Sequence, residues 1–207
     1  MMKYALVAVV VLAGIVAGVV AGRFLARDAS APVVLERGTL FQESRALPEF
    51  SLVDQAGRSF DRERLRGHWT FLFFGFVNCP DICPTTLATL AGARQMLADL
   101  PAGERPEVAF VSVDPGRDTP EALARYVAHF DPTFTGATGE PAEISGLTEA
   151  LGVAVIIGPA AEDGSYSVDH TAAIFLVNPE ARVAALFGTP HEATTIAGDF
   201  RRMVAAR

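Results

Sequence analysis

Thr70-Phe71-Leu72-Phe73-Phe74-Gly75-Phe76-Val77-Asn78-Cys79-Pro80-Asp81-Ile82-Cys83-Pro84 is the stretch that decides the fold. Its first half, Thr70–Phe76, is an unbroken apolar run rich in aromatics, the pattern of a strand buried on both faces. Beyond the second cysteine, Leu87, Leu90, Met96, Leu97 and Leu100 fall at helical spacing, so Pro84 to Leu100 reads as a helix. The cysteines therefore sit where a buried strand ends and a helix starts, the place where open α/β sheets put their chemistry.

The alternation continues outward. Val108–Val113 reads as a second buried strand. Thr119-Pro120-Glu121 is an N-cap followed by proline at the first helical position, opening a helix to about Phe130. Glu140–Leu151 is a further short helix and Val153–Ile157 a strand. Ala172–Val177 and Arg182–Phe187 flank the turn Asn178-Pro179-Glu180-Ala181, and His191 opens a closing helix. Upstream, Glu49–Val53 and Arg58–Phe60 surround Asp54-Gln55-Ala56-Gly57, a hairpin signal. Strands alternating with helices predict an α/β three-layer domain over residues 47–207. No repeat or low-complexity tract interrupts it.

Tyr4 to Gly22 is 19 uncharged residues. At ~1.5 Å per residue they reach roughly 28 Å, against a hydrocarbon thickness of about 30 Å. A cleaved signal peptide has a shorter apolar region, so residues 1–27 read as an uncleaved single-pass anchor; cleavage after Ala29-Ser30-Ala31 is the rival. Lys3 favours a cytoplasmic N-terminus and Arg23 and Arg27 oppose it, while a short tail before a large domain favours export. The expected location is a bacterial inner membrane with the domain in the periplasm. Gly14, Gly18 and Gly22 form a ridge that would pair two anchors into a homodimer, although glycine is common in such helices anyway. Residues 28–46 read as a tether.

The formal charge is −7, and Lys3, Arg23 and Arg27 are the only charges in residues 1–27. The rest carries 14 basic against 24 acidic residues, a balance that argues against nucleic acid, whose binding needs phosphate neutralisation. Two cysteines four residues apart close almost no loop, so the pair reads as redox or metal chemistry rather than a structural staple. On a helical first turn such a pair shares one face, and the helix N-terminus is expected to lower the thiol pKa. Two thiolates select a soft ion, and the short ligand supply points to Cu(I) rather than zinc or an iron–sulfur cluster. Spacing alone does not name a third ligand among His68, His129, His170 and His191. His170 is the best placed, because Asp169-His170-Thr171 immediately precedes a buried strand.

Phe74 to Leu87, Val111 to Pro120 and Asp169 to Val177 together resemble the Sco/SenC family, in order and spacing, from about Leu47 to the last helix. The resemblance implies a thioredoxin-like fold and a copper chaperone, not an enzyme, that serves cytochrome c oxidase assembly. It implies Cys79, Cys83 and His170 as ligands of copper, as Cu(I) or Cu(II). Subunit II of the oxidase, with its copper A site, or another copper acceptor would be the partner. Val77 and Asn78 stand where family members often carry a small hydroxyl residue and histidine; neither is a ligand.

Asp114 and Asp169 are candidate supports of the site, Asp114 equally a turn residue before Pro115. Asp118 reads as a turn or capping acid paired with Arg117. Phe71, Phe73, Phe74, Phe76 and Trp69 read as core or site wall. Two other functions stay open: a thiol–disulfide oxidoreductase acting on the acceptor's cysteines, and a copper- or redox-sensing module. The oxidoreductase reading has against it a spacing one residue longer than Cys-x-x-Cys, and Asp169-His170-Thr171 where a cis-proline would stand.

Overall fold

The computed structural model describes residues 33–206 together with Leu12, Gly14, Ile15 and Gly18, which are helical. Two units separate at Val34/Leu35. The remainder of the Tyr4–Gly22 segment expected as an anchor lies outside the described residues. Among the described residues no helix is long and apolar enough to cross a membrane.

The second unit is a mixed α/β domain, as the alternation predicts. Its strands are β1 (Thr39–Ala46), β2 (Ser51–Asp54), β3 (Ser59–Asp61), β4 (Thr70–Gly75), β5 (Glu107–Ser112), β6 (Thr135–Thr138), β7 (Val155–Ile157), β8 (Val168–His170), β9 (Ile174–Val177) and β10 (Arg182–Phe187). Its helices are α1 (Ile82–Met96), α2 (Pro120–Phe130), α3 (Pro141–Leu151) and α4 (Ala193–Ala205). Eight strands form one sheet in the order β1-β10-β9-β4-β5-β6-β2-β3, and β7 and β8 form a separate hairpin. The β4, β5 and β6 strands run parallel, joined by α1 and α2 as crossovers. On the other side β9 and β10 return antiparallel.

All six residues of β4 are buried, so both faces of the sheet are covered at its centre. Phe71 packs on Phe187 and Phe200, Trp69 meets the Phe200 ring edge to face, and Phe74 meets Phe175 likewise. Thr119 caps α2 through its side chain and Pro120 occupies the first turn, as the sequence anticipates.

Three strands depart from the sequence reading. The last eight residues of the expected tether are β1, paired antiparallel with β10 as the sheet's edge. Its exposure pattern shows no alternation, so period-2 reading has nothing to detect. β6 is Thr-Gly-Ala-Thr, buried throughout yet weak in hydrophobicity. A Cβ at Gly136 would meet Leu123 and Val127 at 3.1 Å, so α2 lies close against this strand. β8 ends on His170 itself, pairing with Val155 of β7.

Candidate metal centre

The cysteines leave the sheet at the carboxyl end of β4. Cys79 lies in the connection, its N–H donating to the Phe76 carbonyl at 3.2 Å, and Cys83 is the second residue of α1. The two thiols are therefore not stacked on a helical first turn, as expected from spacing. One belongs to a loop and the other to a helix, and their depths differ. Cys79 keeps 9% of its surface, whereas Cys83 is fully buried.

Gly75 creates the space for Cys83. A Cβ there would lie 2.7 Å from Cys83 Sγ and 2.6 Å from the Phe110 ring, so a side chain would evict the thiol from the strand end. Burial pushes the Cys83 thiol well up, and the charges of Cys79 and Asp118 add to this against a hydrogen bond at the Phe76 backbone. At Cys83 this corrects the expectation of a lowered thiol pKa: desolvation outweighs the helix N-terminus. Cys83 is a thiol in the metal-free protein, and a metal ion binds it only by displacing that proton.

His170 arrives from the end of β8. Its Nε2 lies 3.3 Å from Cys83 Sγ and its Nδ1 lies 3.1 Å from the Thr171 carbonyl. A carbonyl only accepts, so Nδ1 carries the proton and Nε2 offers its lone pair to the cysteines. Burial lowers the His170 pKa against the Thr171 hydrogen bond and the Asp169 charge, keeping the ring neutral near pH 7. Phe73 and Phe76 hold it edge to face at 6.0 and 5.9 Å. One ligand atom each from Cys79, Cys83 and His170 all lie within 4.8 Å of one another, close enough to share one ion.

Asp169 is exposed and, with Asp81, lines a cleft of about 320 Å³ that opens over Cys79 and His170 between Phe76, Ile82 and Val168. Asp114 is buried, and its carboxylate accepts from Arg117 Nε and the Tyr166 hydroxyl; it does not reach the three donor atoms. Arg117 therefore pairs with Asp114, not with Asp118 as expected. Asp118 is 1% exposed and accepts from the Val77 N–H and the Ser112 hydroxyl. Burial raises its pKa despite those two bonds. Sequence reading missed this role because Val77 and Asp118 are 41 residues apart. Tyr166 lay outside every motif. The other histidines have partners elsewhere: His68 bonds Arg64 and Thr70, His191 bonds Thr86 and the Phe187 carbonyl, and the His129 ring packs on Phe130.

The SCO1/SenC family model matches residues 39–205. The chain belongs to that family. A Stutzerimonas stutzeri protein is 40% identical to this SCO1/SenC chain over 159 residues, covering 75% of it and 76% of the relative. The human mitochondrial SCO2 homolog is 37% identical over 158 residues, 76% of this chain but 59% of the human protein. The Arabidopsis thaliana ScoI structure with copper bound is similar at a TM-score of 0.71 and 34% identity, over 77% of this chain and 98% of that one. The match begins at Thr39, the first residue of β1, so the family's domain includes the edge strand.

Proposed function

We propose that the chain is a copper chaperone, anchored in a bacterial inner membrane by residues 1–27, whose periplasmic domain delivers copper to cytochrome c oxidase. The copper A site of subunit II is the acceptor that suits this reading. Copper is cargo here, held by Cys79 Sγ, Cys83 Sγ and His170 Nε2. The observation that carries the reading is the convergence of those three atoms, with the imidazole proton fixed on Nδ1. Two thiolates and one neutral nitrogen match Cu(I), which accepts three ligands and leaves room for an incoming one. The cleft over Cys79 and His170 supplies the side from which an acceptor's ligand would approach.

Cu(I) titration of the reduced chain against a chromophoric chelator tests this, with one equivalent bound as the expected result. His170→Ala should lower the affinity by on the order of tenfold or more, since losing even a supporting partner of a ligand costs that much. An unchanged affinity and spectrum would remove His170 from the ligand set.

Thiol–disulfide exchange is the second reading. It is favoured by the unequal depth of the thiols, with Cys79 facing the cleft and Cys83 behind it. Cys79 would attack a partner disulfide and Cys83 would resolve the mixed disulfide, so the partner gains two electrons and two protons and the pair becomes a disulfide. Turnover of a disulfide substrate by the metal-free chain separates the two readings.

A further inference from the structure

The three donor atoms come from two arms, the segment that runs from the loop after β4 into the first turn of α1, and the end of the β7–β8 hairpin. A set of hydrogen bonds, buried in its middle and part-buried at its ends, joins those arms without touching any of the three. The Val77 N–H, two residues before Cys79, donates to Asp118 Oδ2 at 3.0 Å, and the Ser112 hydroxyl donates to the same oxygen at 2.6 Å. Ser112 Oγ in turn accepts the Asp114 N–H at 3.0 Å. The Asp114 carboxylate receives Arg117 Nε at 2.5 Å and the Tyr166 hydroxyl at 2.6 Å. Arg117 closes the far end, donating to the Tyr166 carbonyl at 3.3 Å with its guanidinium 3.7 Å over the Tyr166 ring. Tyr166 stands four residues before His170.

Ser112, Asp114 and Asp118 are each at most 2% exposed. In the dry middle formed by these three residues each bond is stronger than at the surface, and each partner left unsatisfied costs more. The chain of bonds therefore has few ways to yield by degrees. We infer that Asp118 and Tyr166 are positioning residues at opposite ends of one hydrogen-bond chain, which sets where the cysteine loop stands relative to the histidine hairpin. The inference rests on the copper reading only for its consequence; the linkage itself is a property of the metal-free chain.

Each element has a defined part in this arrangement. Asp118 holds the backbone of the cysteine loop through Val77. The 112–118 connection is the rigid middle, with its own backbone tied by Asp118 N–H to the Asp114 carbonyl at 3.0 Å. Tyr166 is fastened by its hydroxyl to Asp114 and by its carbonyl to Arg117, so Tyr166→Phe removes the side-chain half of that joint while leaving the ring, its stacking on Arg117 and the carbonyl bond in place.

The test is a double-mutant cycle on the full-length reduced chain in detergent, using Tyr166→Phe, Asp118→Asn and the pair. Each single substitution should weaken Cu(I) binding by about three- to tenfold, the scale of one net hydrogen bond. The double variant should bind little worse than the weaker single one, because both cut the same chain. Losses that multiply would show two independent contacts and overturn the linkage. The second readout needs no copper. Amide exchange at Val77, followed by NMR in the metal-free chain, should speed up in Tyr166→Phe, and unchanged exchange there would overturn the linkage as well. If the wild-type chain takes up no Cu(I) but Val77 responds, the copper reading falls and the linkage stands.

Discussion

At Gly75 the central strand gives up a side chain so that Cys83 can stand against the sheet. Gly75→Ala would place a methyl group inside contact distance of both Cys83 Sγ and the Phe110 ring. Both neighbours are buried and neither is the free end of a flexible chain. Overpacking of this kind typically costs about 1–3 kcal/mol. The expected result is a lower urea midpoint together with weaker Cu(I) binding; a variant that keeps both would mean that the thiol has room to retreat. His170 is held differently, by its Thr171 hydrogen bond and two aromatic edges, so its ring is aimed before any ion arrives.

Among the elements, the segment leading into β1 is held by a buried charge. Asp199 of α4 is fully buried and its carboxylate accepts from the N–H groups of Glu36, Arg37 and Gly38, at 2.6, 3.1 and 2.9 Å, just ahead of β1. Burial opposes its ionisation, but those three donors and Arg202 outweigh it and hold the pKa below the usual range. A depressed folded-state pKa stabilises the fold in full above the unfolded value, near 3.8, and the gain is lost as pH falls through the folded value. Asp199→Asn should therefore lower the urea midpoint at pH 7 and narrow the gap to wild type below about pH 4. An equal gap at both pH values would show that the carboxylate charge contributes nothing. The strands that composition does not announce each have a cause of their own. β1 is an exposed polar edge, β6 is a small-residue strand chosen by the helix above it, and β8 is three residues of a hairpin. The aromatic β4, the capped α2 and the pair Cys79 and Cys83 were readable locally. Depth was not: the thiol shift at Cys83 comes from burial against the sheet, and the roles of Asp118 and Tyr166 depend on contacts 41 and 52 residues apart.

For the whole molecule, the proposed anchor and the acidic domain make separate demands. The full-length chain should stay in the membrane pellet through an alkaline carbonate wash, and residues 28–207 expressed alone should appear in the supernatant. Release of the full chain by the wash would remove the anchor from the proposal. The unequal depth of the two thiols gives the centre a front and a back. Cys79 and His170 meet the cleft, while Cys83 is walled off by Gly75 and Phe110. In the proposed delivery an arriving ligand can displace the front donors one at a time, and Cys83 is the last to let go. Copper would then change hands in a fixed sequence, bound at every moment from behind, and never be shed into open water on the way.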